Sequence, residues 1–158
     1  TCYWFRNSLA ISQNKIAIYL HGGCFALGSV QSHRALVSHL TQNLALPFLF
    51  IEYSLAPEKP FPNGLNDILK VYRHLNIHYS NFELILMGDS AGAGLSLSLL
   101  KKLNEYNYHV PEFVIMISPW LDLSCANKSF LDKADIDPIL NKEHLENYVS
   151  LYKGNEDL

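Results

Sequence analysis

Short apolar runs alternating with stretches of helical spacing restrict what this 158-residue chain can fold into. Ile16-Ala17-Ile18-Tyr19-Leu20, Pro47 to Ile51 and Leu84-Ile85-Leu86-Met87 lack charged residues and are too short for core helices, so each predicts a buried strand. Phe113-Val114-Ile115-Met116-Ile117, after Pro111, predicts a fourth. Between them Leu36, Val37, Leu40 and Leu44, then Leu65, Ile68, Leu69, Tyr72 and Leu75, then Leu95, Leu99, Leu100 and Leu103 recur at helical intervals. Asn63 is the expected N-cap of the second helix, which follows the proline-rich connection Ala56 to Pro62. Thr1 to Phe5 reads as a further strand and Ser12-Gln13-Asn14 as a polar turn. A last helix is expected from about Asn141, with Leu145, Tyr148, Leu151 and Tyr152 on one face. Strands and helices in alternation give an α/β fold: a mostly parallel sheet covered by helices on both faces.

Composition removes several functions. With 49% hydrophobic and 17% charged residues the chain can build one core, and a net charge of −3 offers no basic stripe for nucleic acid. Cys2, Cys24 and Cys125 are odd in number and widely spaced, which argues against a disulfide framework and against a zinc site. The longest apolar run, Leu44 to Ile51, is broken by Pro47 and falls far short of the roughly 20 residues of a membrane span. Compartment and oligomeric state stay open: cytoplasm, or endoplasmic reticulum if a preceding segment carries an anchor.

Chemistry concentrates at two strand ends. Gly88-Asp89-Ser90-Ala91-Gly92 follows the third apolar run and opens a helix. Gly-x-Ser-x-Gly alone arises by chance in roughly one chain in twenty of this length, so its setting decides its meaning. A nucleophile elbow needs a sharp strand-to-helix turn that lifts the serine hydroxyl above the sheet, with glycines where a Cβ would strike neighbouring backbone. Ser90 is therefore the candidate nucleophile, near the positive end of the following helix. His21-Gly22-Gly23-Cys24 ends the first apolar run, and its backbone N–H groups, with that of Ala91, are placed to hold an oxyanion, each donor being worth about 3 kcal/mol. Two such sites at C-terminal strand ends converge on one crevice.

Four segments together carry a resemblance: His21-Gly22-Gly23-Cys24-Phe25 with Leu27-Gly28-Ser29; Tyr53-Ser54-Leu55-Ala56-Pro57-Glu58 with Pro60-Phe61-Pro62; Gly88 to Gly92; and Ser118-Pro119-Trp120-Leu121-Asp122-Leu123-Ser124. In this order they resemble the hormone-sensitive lipase family of α/β-hydrolases, from about Ile16 to Ser124 and less distinctly to Leu158. The resemblance implies a carboxylesterase, lipase or deacetylase, including arylacetamide and steryl deacetylases. It would act without cofactor on a small, hydrophobic ester of short to medium acyl chain. It makes Ser90 the nucleophile and the backbone of Gly22, Gly23, Cys24 and Ala91 the oxyanion hole, supported by His21, Gly88, Asp89 and Gly92. Cys24 stands where the family usually has a third glycine, which implies strain if the position needs a positive φ. Tyr53 to Pro62 and Asp122 are expected to be structural, as buried prolines and one paired carboxylate.

A serine nucleophile also needs a histidine and an orienting acid, in this fold in the order Ser, acid, His. The family places these after two further strands, so residues 1–158 are expected to form about the central half of the domain, without an N-terminal strand and cap and without the C-terminal strands bearing acid and base. Asp122 or Asp137 with His144 satisfies the order, but His144 falls in the first turn of a helix. His33, His39, His74, His78 and His109 are expected as surface or partly buried residues, and His21 as a support of its own loop. The competing reading is a non-catalytic small-molecule receptor on the same fold, resembling gibberellin receptors.

Overall fold

A computed structural model describes residues 1–7 and 14–156 of the chain. Ser12 and Gln13 of the expected polar turn lie outside the described residues. Five strands, β1 (Cys2–Phe5), β2 (Lys15–Leu20), β3 (Phe48–Ile51), β4 (Glu83–Asp89) and β5 (Phe113–Ile117), form one sheet in the order β1-β3-β2-β4-β5. β1 runs antiparallel to β3, and all other pairs are parallel. The helices are α1 (Val30–Leu44), α2 (Asn63–His78), α3 (Ser90–Glu105), the single turn α4 (Ser129–Asp132) and α5 (Lys142–Lys153). Asn63 is the first residue of α2, and Pro62 occupies the N-cap. Asn141 does cap α5, its side chain accepting the N–H groups of Glu143 and His144.

Strand alternation sorts the core onto two faces. Ile16, Ile18 and Leu20 of β2, Leu49 and Ile51 of β3, and Leu84 and Leu86 of β4 pack with the stripes Leu65, Ile68, Tyr72, Leu75 of α2 and Leu95, Leu99, Leu103 of α3. Ala17, Tyr19, Phe48, Phe50, Ile85 and Met87 face the other way, with Val30 and Val37 of α1. Each fully buried aliphatic or aromatic side chain contributes about 1.5–3 kcal/mol. The spacing of α1 misled at two positions: Leu36 and Leu44 are exposed, and Val30, Val37 and Thr41 are buried. The buried set repeats at i, i+7, i+11, and Leu36 lies about 100° around the helix from Val37. Thr41 fits the apolar face because its hydroxyl donates back to the carbonyl of Val37.

β5 is an edge strand with β4 as its neighbour, and Phe113, Ile115, Met116 and Ile117 are exposed. Its composition matches the central strands, but among the described residues it has one neighbouring strand where they have two. None of the helices among the described residues is long and apolar enough to cross a membrane.

Candidate active site

The parallel register places Leu20 opposite Gly88, so the loop after β2 and the turn after β4 leave the sheet side by side. Ser90 sits at this turn with φ of +50°, a left-handed conformation that L-residues seldom adopt. Strain at such a site persists only where its surroundings enforce it. They do so here through glycine. A Cβ on Gly92 would lie 2.1 Å from the Leu20 carbonyl oxygen, and one on Gly88 would lie 2.7 Å from the Gly92 carbonyl carbon. A Cβ on Gly22 would lie 3.1 Å from the Ser90 Cβ, so the loop after β2 and the serine are packed against each other.

That loop is held from three sides. Tyr53 donates its hydroxyl to the His21 carbonyl at 2.6 Å, and Ala56 N–H donates to the Phe25 carbonyl at 3.0 Å. The Phe25 ring stacks on Tyr152 of α5 with centroids 3.9 Å apart, and Phe61 N–H donates to the Tyr152 carbonyl. His21 is buried, lies flat on Tyr53 with centroids 4.4 Å apart, and has Nδ1 2.7 Å from the Gly22 carbonyl oxygen. That contact requires the proton on Nδ1. Burial lowers the His21 pKa more than the Gly22 carbonyl raises it, so the ring is neutral and its unprotonated Nε2 has no partner among the described residues. His21 Nδ1 is thus turned onto its own loop.

The segment 118–124 braces the elbow from the far side. Trp120 N–H donates to the Ser90 carbonyl at 3.1 Å, and the Trp120 carbonyl packs so close to α3 that a Cβ on Gly94 would lie 2.6 Å from it. Asp122 departs from expectation: it is exposed, accepts the Ser124 N–H, closing a local turn, and has no ion pair among the described residues. The prolines of the 53–62 stretch are likewise not buried, Pro57 being exposed and Pro60 and Pro62 half-buried. Tyr53 and Ala56 carry the structural role of that stretch.

Of the four residues expected to hold an oxyanion, Gly22 is already engaged, its N–H donating to Asp89 Oδ1 at 2.9 Å. Gly23, at φ +118°, and Cys24, at φ +53°, have N–H groups with no acceptor among the described residues, and Ala91 lies in the first turn of α3, where N–H groups have no intrahelical partner. The positive φ at Cys24 makes its side chain a source of strain of about 1 kcal/mol. Cys24→Gly releases that strain but adds unfolded-state entropy of similar size, whereas a β-branched side chain tolerates the conformation least. In urea unfolding we expect Cys24→Gly to stay within about 1 kcal/mol of the parent and Cys24→Val to lose about 2 kcal/mol. Equal stability of the two variants would contradict a conformational demand at this position.

Asp89, one residue before Ser90, also accepts the Tyr19 hydroxyl at 2.9 Å and lies 3.6 Å from His33 Nε2. Burial raises its pKa, but the neighbouring His33 imidazole and the Tyr19 hydrogen bond outweigh it and hold the carboxyl below its usual range; Asp89 in turn raises the His33 pKa. Sequence reasoning missed this role of His33, because the residue is 56 positions from the Asp89 it reaches in a chain of 158. The Ser90 hydroxyl has no hydrogen bond to a histidine among the described residues. His144 is exposed in the first turn of α5, and Asp137 accepts the N–H groups of Ile139 and Leu140. Among the described residues no three His, Cys, Asp or Glu side chains cluster to hold a metal.

Comparison with known proteins agrees with this fold. A family model described as alpha/beta hydrolase fold matches residues 17–158. An esterase of Acinetobacter venetianus is 33% identical over 142 residues, covering 89% of this chain and 47% of its own length. An acetyl-hydrolase of Streptomyces hygroscopicus is 35% identical over 158 residues, covering 99% of this chain and 52% of its own. The crystal structure of an esterase from the bacterial hormone-sensitive lipase family superposes with a TM-score of 0.94 at 34% identity, over 99% of this chain and 52% of that one. The chain therefore spans about half the length of these relatives.

Proposed function

The chain belongs to the hormone-sensitive lipase family of α/β-hydrolases, and from that premise we propose that it supplies the nucleophile and oxyanion hole of a carboxylic ester hydrolase. The observation that carries the reading is the contact between Gly22 and Ser90, which leaves loop N–H groups beside the elbow. Ser90 Oγ attacks the ester carbonyl, the carbonyl oxygen becomes an oxyanion, and the N–H groups of Gly23, Cys24 and Ala91 stabilise it. Collapse of the tetrahedral intermediate expels the alcohol and leaves an acyl group on Ser90, which water then removes. Gly22 is left out of the donor set because its N–H is engaged by Asp89.

The proton acceptor is the remaining requirement. His33 is excluded on geometry: Nδ1 is 2.8 Å from Ser32 Oγ and Nε2 faces Asp89, so neither nitrogen is free for Ser90. His21 Nδ1 is engaged by Gly22 and the ring is enclosed. We assign the base and its acid to residues beyond Leu158, in the order Ser, acid, His. Substrates are small esters, of acetyl or short to medium acyl groups.

The intact protein is expected to hydrolyse p-nitrophenyl acetate or butyrate with a burst of nitrophenol, and a fluorophosphonate to add its mass to the peptide bearing Ser90. Residues 1–158 alone should turn over more slowly by about four orders of magnitude, since loss of a triad base costs that much. Ester hydrolysis by residues 1–158 at the rate of the intact protein would overturn the assignment of the base and point to His144. Binding of a small ligand without hydrolysis by the intact protein would favour the receptor reading.

A further inference from the structure

We propose that Tyr19, His33 and Asp89 form a positioning clamp that sets the distance between the oxyanion loop and Ser90, an inference that rests on the ester-hydrolase reading above. Three groups from three places in the chain converge on one carboxylate oxygen. Asp89 Oδ1 accepts from the Tyr19 hydroxyl on β2 at 2.9 Å and from the Gly22 N–H of the loop at 2.9 Å, and His33 Nε2 on α1 lies 3.6 Å away. A Cβ on Gly22 would lie 2.3 Å from the other oxygen, Oδ2, so the carboxylate packs directly against the loop backbone. Asp89 is covalently adjacent to Ser90, and Gly22 is adjacent to Gly23. One oxygen therefore ties the chain that carries the nucleophile to the chain that carries the expected oxyanion donors.

The clamp has its own supports. Ser32 Oγ, 2.8 Å from His33 Nδ1, sets the ring so that Nε2 points at Asp89. Glu52 accepts the Val30 N–H at 2.8 Å and so seats the first turn of α1, from which His33 projects. Two further titratable groups face the cluster: His21, whose ring centroid is 5.4 Å from that of His33 and whose pKa burial lowers, and Tyr53 stacked on it, whose pKa burial raises. Asp89 in turn raises the His33 pKa, so that a proton is held there more readily than on an ordinary imidazole. Because Asp89 contacts the backbone of the loop and acts through it, these are positioning residues, and their effect is on the transition state more than on substrate affinity.

The test uses the intact protein. Replacing Asp89 by leucine is expected to lower kcat for p-nitrophenyl acetate about 100-fold with KM changed less than about threefold, the size of losing aligned oxyanion donors. Asp89→Asn, whose Oδ1 still accepts from Tyr19 and Gly22, should keep kcat within about tenfold. His33→Leu should cost about tenfold and His33→Gln, which retains an N–H donor, should recover most of it. Independently of turnover, amide exchange at Gly22 should quicken at least about tenfold in Asp89→Leu, and the His33 imidazole should titrate lower in Asp89→Asn than in the parent. If the parent hydrolyses no ester, the function reading fails and the exchange and titration arms still decide the clamp. Unchanged kcat in Asp89→Leu, or unchanged Gly22 exchange and His33 titration in both variants, would overturn it; should Asp89→Leu not fold, Asp89→Asn and the His33 pair decide alone.

Discussion

Ser90→Ala is expected to reduce kcat for nitrophenyl esters by about five orders of magnitude, leaving only what the oxyanion donors and binding supply. The size follows from the kind of step removed. With no Oγ, no acyl-enzyme forms, and water must attack without an activated nucleophile. The fold should survive, because alanine meets the same demand for φ of +50° as serine and removes one oxygen without a hydrogen bond among the described residues. KM should change little, since Oγ contributes to the transition state and not to ground-state binding. The check is kcat and burst amplitude on purified intact protein, with fluorophosphonate labelling to count competent sites. Hydrolysis persisting within tenfold of the parent, at a rate proportional to variant concentration, would remove Ser90 from the mechanism.

How legible such a site is depends on which interactions are local. Strand β4, the elbow and the start of α3 form one continuous segment, so the apolar run, the flanking glycines and the following helical stripe can be read together. The loop after β2 is legible for the same reason. The clamp on Asp89 is not, because Tyr19, Gly22 and His33 meet it only after the register of β2 and β4 is set and α1 has docked. Single aromatic and polar residues carry no sign of a partner 56 to 70 residues away. Tyr152 makes the same point, since a helical stripe places it inward but says nothing of its stacking on Phe25. The exposed face of β5 was hidden for the opposite reason, as its composition equals that of the central strands while its burial depends on neighbours.

Gly92→Ala tests the other half of the arrangement, the closeness of α3 to the end of β2. The added Cβ would stand 2.1 Å from the Leu20 carbonyl oxygen and 2.5 Å from that of His21, both main-chain atoms at the end of the central strand. No rotamer change can relieve this; either α3 or the end of β2 must shift by about 1.4 Å, to reach an ordinary contact of about 3.5 Å. Overpacking against mobile side chains costs about 1–3 kcal/mol, so a clash with two fixed carbonyls should exceed that range, at about 4 kcal/mol. Against a total stability of about 5–15 kcal/mol this is a large share. Leu97→Ala, at an exposed position of the same helix, should stay within about 0.5 kcal/mol and serves as the control. Function should fall with stability, because the displaced atoms belong to the elbow and to the oxyanion loop, and a 1 Å misplacement there is worth about 100-fold in rate. Urea unfolding at constant m gives the stability and nitrophenyl ester turnover gives the rate. A Gly92→Ala variant within 1 kcal/mol of the parent and of equal kcat would mean that the helix and the strand end are not held in this contact.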